Sequence, residues 1–174
     1  MQRIAEFEKV TYGQFRKAMQ EEFPGTSETE CAEMYEKLQL PTRATAGSAG
    51  YDFKAPFAFT LASGGTIKIP TGICASIEDG WWLGCLPRSG LGFKYRVQLN
   101  NTMGVIDSDY YFSDNEGHIF AKITNDSKDG KTVRVEQGDG FMQGIFIPYG
   151  ITYSDNASRK RNGGMGSTDT KEKK

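Results

Sequence analysis

Histidine is nearly absent from the 174-residue chain, which has only His118, and cysteine is sparse, with Cys31, Cys74 and Cys85. Any Ser-His-Asp or Cys-His mechanism has one imidazole to draw on, and a lone histidine in a strand-like segment reads first as structural. Three widely spaced cysteines build no disulfide framework, and with His118 they lack the paired spacing of a zinc site. Neither charge is in surplus: 21 Lys and Arg face 22 Asp and Glu, leaving a net charge of -1. Duplex DNA and anionic membranes both need a basic face, so neither is expected as the main partner. No apolar run approaches the ~18 residues of a membrane span, and Met1-Gln2-Arg3-Ile4-Ala5 opens no signal-peptide core. The expectation is a soluble cytoplasmic domain. No P-loop or dinucleotide fingerprint occurs. Asp107-Ser108-Asp109 with Asp114 and Glu116 fails the EF-hand pattern, because Tyr111 stands where a ligand belongs and Phe112 where glycine belongs.

What the chain does have is glycine, 21 residues of it, a composition suited to tight turns and close backbone approach. Residues 1–40 read as a helical extension. Phe15, Met19 and Phe23, with Tyr12 one turn earlier, mark one apolar stripe, and Pro24-Gly25 stops it. Ser27 with Glu30 makes a capping box, and Cys31, Met34, Tyr35 and Leu38 form the face of a second helix that Pro41 ends. The extension is expected to be a packing appendage, the alternative being a partner-binding module. From 41 to 157 the period becomes two. Short strands are expected at 57–61, 67–69, 74–77, 81–83, 97–99, 119–123, 133–135 and 141–147, punctuated by glycine-rich turns. That pattern predicts an all-β sandwich or barrel. Residues 158–174 form a polar arm expected to be mobile when nothing is bound.

Four segments carry potential chemistry. Pro87-Arg88-Ser89-Gly90 sets a guanidinium, a hydroxyl and a flexible backbone on one turn, a combination suited to phosphate oxygens. Gly104 to Tyr110 holds two carboxylates and an aromatic just past a strand. Arg159-Lys160-Arg161 precedes the glycine-rich Gly163-Gly164-Met165-Gly166-Ser167-Thr168. Ala46 to Phe53 is a small-residue turn entering a strand. Alone, each also reads as an ordinary turn, strand end or tail. In this order, with Gly138 to Phe146 including Gln143 between the second and last, the segments match five ordered motifs. On them the chain resembles the homotrimeric dUTP pyrophosphatase (dUTPase) family, from near Leu40 to Thr168. Tyr111 to His118 looks like an insertion found in some bacterial and phage members.

The resemblance implies a jelly-roll-like β-barrel, a trimer with three sites at subunit interfaces, and hydrolysis of dUTP to dUMP and pyrophosphate with Mg2+ on the triphosphate. Such a reaction limits uracil entry into DNA and supplies dUMP for dTMP synthesis. Asp107 matches the water-orienting aspartate and would serve as general base. Arg88, Ser89 and Gly90 would hold the phosphates, helped by Gln143, and Asp52 would reach Mg2+ through water. Arg161 would bring a late positive charge to the gamma phosphate. The hairpin with Asn101, Gly104 and Ile106 would read uracil's polar edge, Tyr110 would lie flat on the deoxyribose, and Met165, Gly166 and Ser167 would close over the nucleotide. Several positions depart from the family's pattern. Met165 replaces a stacking aromatic, Gly140 stands where the fourth motif often has Arg, and Arg96 where the second often closes with Gly. Part of the family places its late arginine one position earlier, where this chain has Lys160. A dCTP deaminase relative on the same fold, and a non-catalytic interaction protein, are the other readings.

Overall fold

Alternating apolar and polar side chains hold most of the chain extended, because a strand presents successive residues to opposite faces. In the computed structural model, which describes residues 2–158 and 161, twelve strands result. They are β1 (Ala5–Lys9), β2 (Thr42–Arg43), β3 (Tyr51–Lys54), β4 (Phe59–Leu61), β5 (Thr66–Pro70), β6 (Ile73–Ile77), β7 (Trp81–Pro87), β8 (Val97–Leu99), β9 (Gly104–Asp107), β10 (Phe120–Asn125), β11 (Val133–Val135) and β12 (Gly140–Pro148). Three short α-helices interrupt them, α1 (Tyr12–Glu22), α2 (Glu28–Glu36) and α3 (Ser89–Tyr95), with a 3-10 helix at Ser108–Phe112.

The fold is all-β. Its largest sheet runs β2-β3-β12-β7-β9, and β5-β10-β8, β11-β4 and β1-β6 form the others, every pair antiparallel. Phe53, Leu83, Val133 and Phe141 are fully buried in one core to which all four sheets contribute. The largest sheet positions the candidate site through register. β12 sets Gln143 opposite Asp52 on β3 and opposite Leu86 on β7. On its other side β7 sets Trp82 opposite Asp107 of β9.

The N-terminal 40 residues hold both expected helices, over a second core of Val10, Phe15, Met19, Cys31, Leu38 and Cys74. Thr11 caps α1 by accepting from the Gln14 N–H at 3.2 Å. Both halves of the Ser27–Glu30 capping box are made. The extension is not purely helical, however. Ala5–Lys9 is a strand paired with β6. Only Phe7 of its five residues is buried, too weak a pattern to read as a strand, and the partner edge of β6 induces it. The second motif likewise continues from its turn into α3. Arg96 ends that helix at φ 52°, the left-handed conformation that explains why glycine is favoured there.

His118 is fully buried, and its Nε2 accepts the Gly72 N–H at 2.8 Å. Burial, with Lys68 nearby, pushes its pKa down to about 3. Its role is structural. The unfolded imidazole protonates near its ordinary value and the folded one only near 3. The stability His118 contributes is therefore complete above about pH 6.5 and lost as pH falls toward 3, on the order of 5 kcal/mol in all. Denaturant titrations should show this decline between pH 7 and 4, and His118→Gln should flatten it. Parallel declines in both proteins would show that other groups carry the acid sensitivity.

Candidate active site

Two clusters of the expected residues form, one at each end of β7. The first collects around the β3–β12–β7 register. The Arg88 Nε lies 3.2 Å from the Asp52 Oδ1, and Arg88 Nη1 donates to the Gly140 carbonyl at 3.2 Å. Gln143 is tied back by its Nε2 to the Pro87 carbonyl at 3.4 Å. Ser89 and Gly90, both exposed, open α3 beside them. Ahead of β3, Arg43 Nη1 holds the small-residue turn by donating to the carbonyls of Ala46 at 2.9 Å and Ser48 at 3.1 Å. Gly140 has a physical reason to depart from arginine. A Cβ there would lie 2.6 Å from Arg88 Nη1 and 3.0 Å from its Cδ, so the absence of a side chain is what lets Arg88 cross to Asp52.

The second cluster is the β8–β9 connection and the 3-10 helix that follows; the expected hairpin is not formed, because β8 pairs with β10 and β9 with β7. Asn101 is exposed at the turn, Ile106 is buried on β9, and Gly104 lies against Cys85. Asp107, Asp109 and Tyr110 converge on one cation. Arg161 Nη2 meets the Asp107 Oδ2 at 2.6 Å, its Nε meets the Asp109 Oδ1 at 3.0 Å, and its guanidinium carbon sits 5.5 Å from the Tyr110 ring centre. Arg161 reaches this end for a topological reason: β12 finishes with Pro148 opposite Trp81, one residue from the Trp82–Asp107 pair. Partial burial raises the Asp107 pKa, an effect Arg161 opposes and Asp109 reinforces. The Tyr110 hydroxyl donates to the His118 carbonyl at 2.8 Å and accepts from Asn115 Nδ2 at 2.8 Å. Tyr110 is thus buried, with the Arg161 guanidinium against its ring.

Beside Asn101 lies a cavity of about 400 Å³ lined by Lys68, Asn100, Asn101, Asn115, Phe120 and Lys122. Of these, the sequence pointed only to Asn101. Phe120 and Lys122 occur two apart on β10, a spacing that marks a shared face, whereas nothing local links Lys68 or Asn115 to the β8–β9 connection. Lys160, Met165, Gly166 and Ser167 lie outside the described residues. The two clusters do not meet within the chain. Asp107 pairs with Trp82 and Arg88 follows Pro87, so six residue steps of strand, about 20 Å, separate them.

Comparison with known proteins gives the same family throughout. A family model described as dUTPase matches residues 36–169. A deoxyuridine 5'-triphosphate nucleotidohydrolase of Lactococcus lactis is 39% identical over 134 residues, covering 75% of this chain and 88% of that protein. The Salmonella typhi protein of the same description is 37% identical over 139 residues, covering 75% and 87%. The crystal structure of a Streptococcus mutans dUTPase superposes with a TM-score of 0.61 at 35% identity, over 84% of this chain and 97% of that one. The dUTPase of phage phi11 of S. aureus shares the fold, with a TM-score of 0.62 at 17% identity over 90% and 97%. A variant of that phage protein coordinates a structural Mg(II) ion.

Gly140→Ala should push Arg88 off Asp52 at little cost to the fold, because the displaced atoms end a flexible side chain. The expected outcome is a kcat/KM roughly tenfold lower with a nearly unchanged melting temperature. A variant with normal kinetics would show that the Arg88 pose is irrelevant to turnover.

Proposed function

As a member of the dUTPase family the chain hydrolyses dUTP to dUMP and pyrophosphate, and we propose that it does so in sites built between the subunits of a homotrimer. One observation carries the shared site: Asp107 and Arg88 sit at opposite ends of β7. A general base must lie within hydrogen-bond reach of the water it activates, and the phosphate held by Arg88 must lie beside that water. About 20 Å of strand forbids both in one chain. A neighbouring copy that brings its Asp107 cluster to this chain's Arg88 cluster satisfies both.

The mechanism follows from charge and geometry. Water attacks the alpha phosphorus, its proton passes to Asp107, and the bond to the bridging oxygen breaks to release pyrophosphate. The raised pKa of Asp107 suits a base. Arg88, Ser89, Gly90 and Gln143 orient the phosphates. The Asn101 amide and the backbone at Gly104 and Ile106 read uracil, Tyr110 excludes a ribose hydroxyl, and Met165, Gly166 and Ser167 cover the base and phosphates. Arg161 rests on Asp107 and Asp109 in the free chain. The more highly charged triphosphate draws it away, which exposes both the base and the Tyr110 ring.

Among the described residues no three His, Cys, Asp or Glu side chains group to hold a metal. A single carboxylate, Asp52, beside the amide of Gln143 fits an ion that keeps its waters and enters on the substrate. Asp52 would hold Mg2+ through water, and Mg2+, when bound, neutralises phosphate charge. No helix of the described residues is long and apolar enough to cross a membrane. We place the enzyme in the cytoplasm, where it would limit uracil incorporation and supply dUMP for dTMP synthesis.

Asp107→Asn should lower kcat by about 10² or more, and Arg88→Ala should be similarly impaired. Mixed after co-refolding, the two inactive variants should regain about a quarter of wild-type sites, since each restored site takes one intact half from each chain. Hybrids confirmed by native mass spectrometry but inactive would refute shared sites.

The pH profile gives a second check. The acid limb of kcat/KM should lie above the ordinary aspartate range, activity falling as Asp107 takes up its proton. Asp109→Asn removes a neighbouring negative charge and should move the limb to lower pH. A limb that stays in place would assign it to another group.

A further inference from the structure

The 3-10 helix that carries Tyr110 is followed by a segment that folds back onto Tyr110. Glu116 and Gly117 both adopt left-handed backbone, at φ 59° and 64°. A Cβ on Gly117 would lie 2.8 Å from the Tyr111 Cα and 3.1 Å from the Tyr110 carbonyl oxygen, so the turn is pressed against the helix. The turn returns the His118 carbonyl to the Tyr110 hydroxyl at 2.8 Å, and Asn115 Nδ2 meets the same hydroxyl at 2.8 Å. A left-handed conformation is disfavoured for glutamate and persists only where its surroundings fix it. Here the N-terminal extension fixes it. The Glu116 carboxylate accepts the Thr11 N–H at 2.7 Å and the Thr11 hydroxyl at 2.8 Å. Thr11 is itself the cap of α1. One residue past Tyr110, the Tyr111 hydroxyl donates to the Glu8 carboxylate on β1 at 3.1 Å. Both anchors lie before residue 36, where the family match begins.

We propose that the N-terminal extension positions Tyr110 for sugar recognition, acting through the Glu116–Thr11 clasp. Glu116 is a positioning residue that touches no substrate. The clasp sets the turn, the turn sets the His118 carbonyl, and the carbonyl sets the phenol whose ring meets the sugar. The inference rests on the reading of Tyr110 given above.

The test compares full-length wild-type, Glu116→Gly, Glu116→Gln and Tyr110→Leu proteins with dUTP and UTP, well below each melting temperature. Glu116→Gly removes the carboxylate yet tolerates the left-handed backbone. It should raise KM for dUTP roughly fivefold and lower the dUTP/UTP ratio of kcat/KM about tenfold, with kcat within about twofold. Glu116→Gln keeps one acceptor for Thr11 and should recover most of the ratio. A Glu116→Gly protein with a lower melting temperature but unchanged KM and ratio overturns the proposal, as does a Gln variant as defective as Gly. Should Glu116→Gly fail to fold, Tyr111→Phe, which cuts the tie to Glu8, should move KM and the ratio in the same direction, and no movement overturns the proposal. Tyr110→Leu separates the two failures. If it leaves the ratio unchanged, the sugar role of Tyr110 falls and the proposal with it. If it collapses the ratio while Glu116→Gly does not, only the clasp falls.

Discussion

The position of β7 between β9 and β12 is the constraint on which the rest depends. Its residues face a core in which Leu83 is fully buried, against Phe53 and Phe141 from neighbouring strands. Each such side chain contributes about 1.5–3 kcal/mol by leaving water. A slip of one residue would turn this apolar set to solvent, so the register is held by the core rather than by the site. The same register fixes Asp107 at one end and Arg88 at the other. In the proposed shared site, the register that completes the core is also what keeps the two clusters of one chain apart. Even Cys85, in the middle of this strand, belongs to that core: burial pushes its thiol pKa up to about 12 and leaves it unreactive.

Charge is arranged alike in both halves. Asp52 is paired with Arg88, and Asp107 and Asp109 are paired with Arg161. These pairs are partly solvated, and such pairs are worth little, typically under about 1 kcal/mol. In the proposed mechanism an arriving triphosphate therefore has only a small interaction to overcome when it recruits either guanidinium. The carboxylates then lose their counter-charges, and Asp107 loses the one influence that holds its pKa down. On that proposal, substrate binding and activation of the base are the same event.

Legibility followed the range of the interactions. α1, α2 and the Ser27–Glu30 box were readable because each signal lies within four residues. The strands around the core were readable from alternation, and the structural role of His118 from its isolation. β1 was not readable, since Glu6, Glu8 and the flanking residues of Phe7 are exposed and its pairing partner is some 70 positions away in sequence. Nor was the extension of the second motif into α3, whose seven residues include two glycines and no buried side chain. Within the site, Arg88, Gln143 and Asp107 stood in recognisable motifs. The Arg161–Asp109 contact, the Lys68 and Asn115 walls of the cavity and the reason for Gly140 depend on strands meeting across the sheet. No local pattern encodes such meetings.

The extension adds a further level to this argument. β1 covers the edge of β6, an arrangement that removes a strand edge open to other chains. Phe7 packs its ring 5.3 Å from Tyr51, 5.5 Å from Phe53 and 5.5 Å from Phe146. Tyr51 and Phe53 flank Asp52, so the extension supports the Asp52–Arg88 cluster from behind. Through Thr11 and Glu8 it also grips the segment after Tyr110. A single appendage therefore braces both clusters. In the proposed trimer each cluster must meet its complement on another copy within hydrogen-bond tolerance, so rigidity inside the chain is what would make assembly between chains productive.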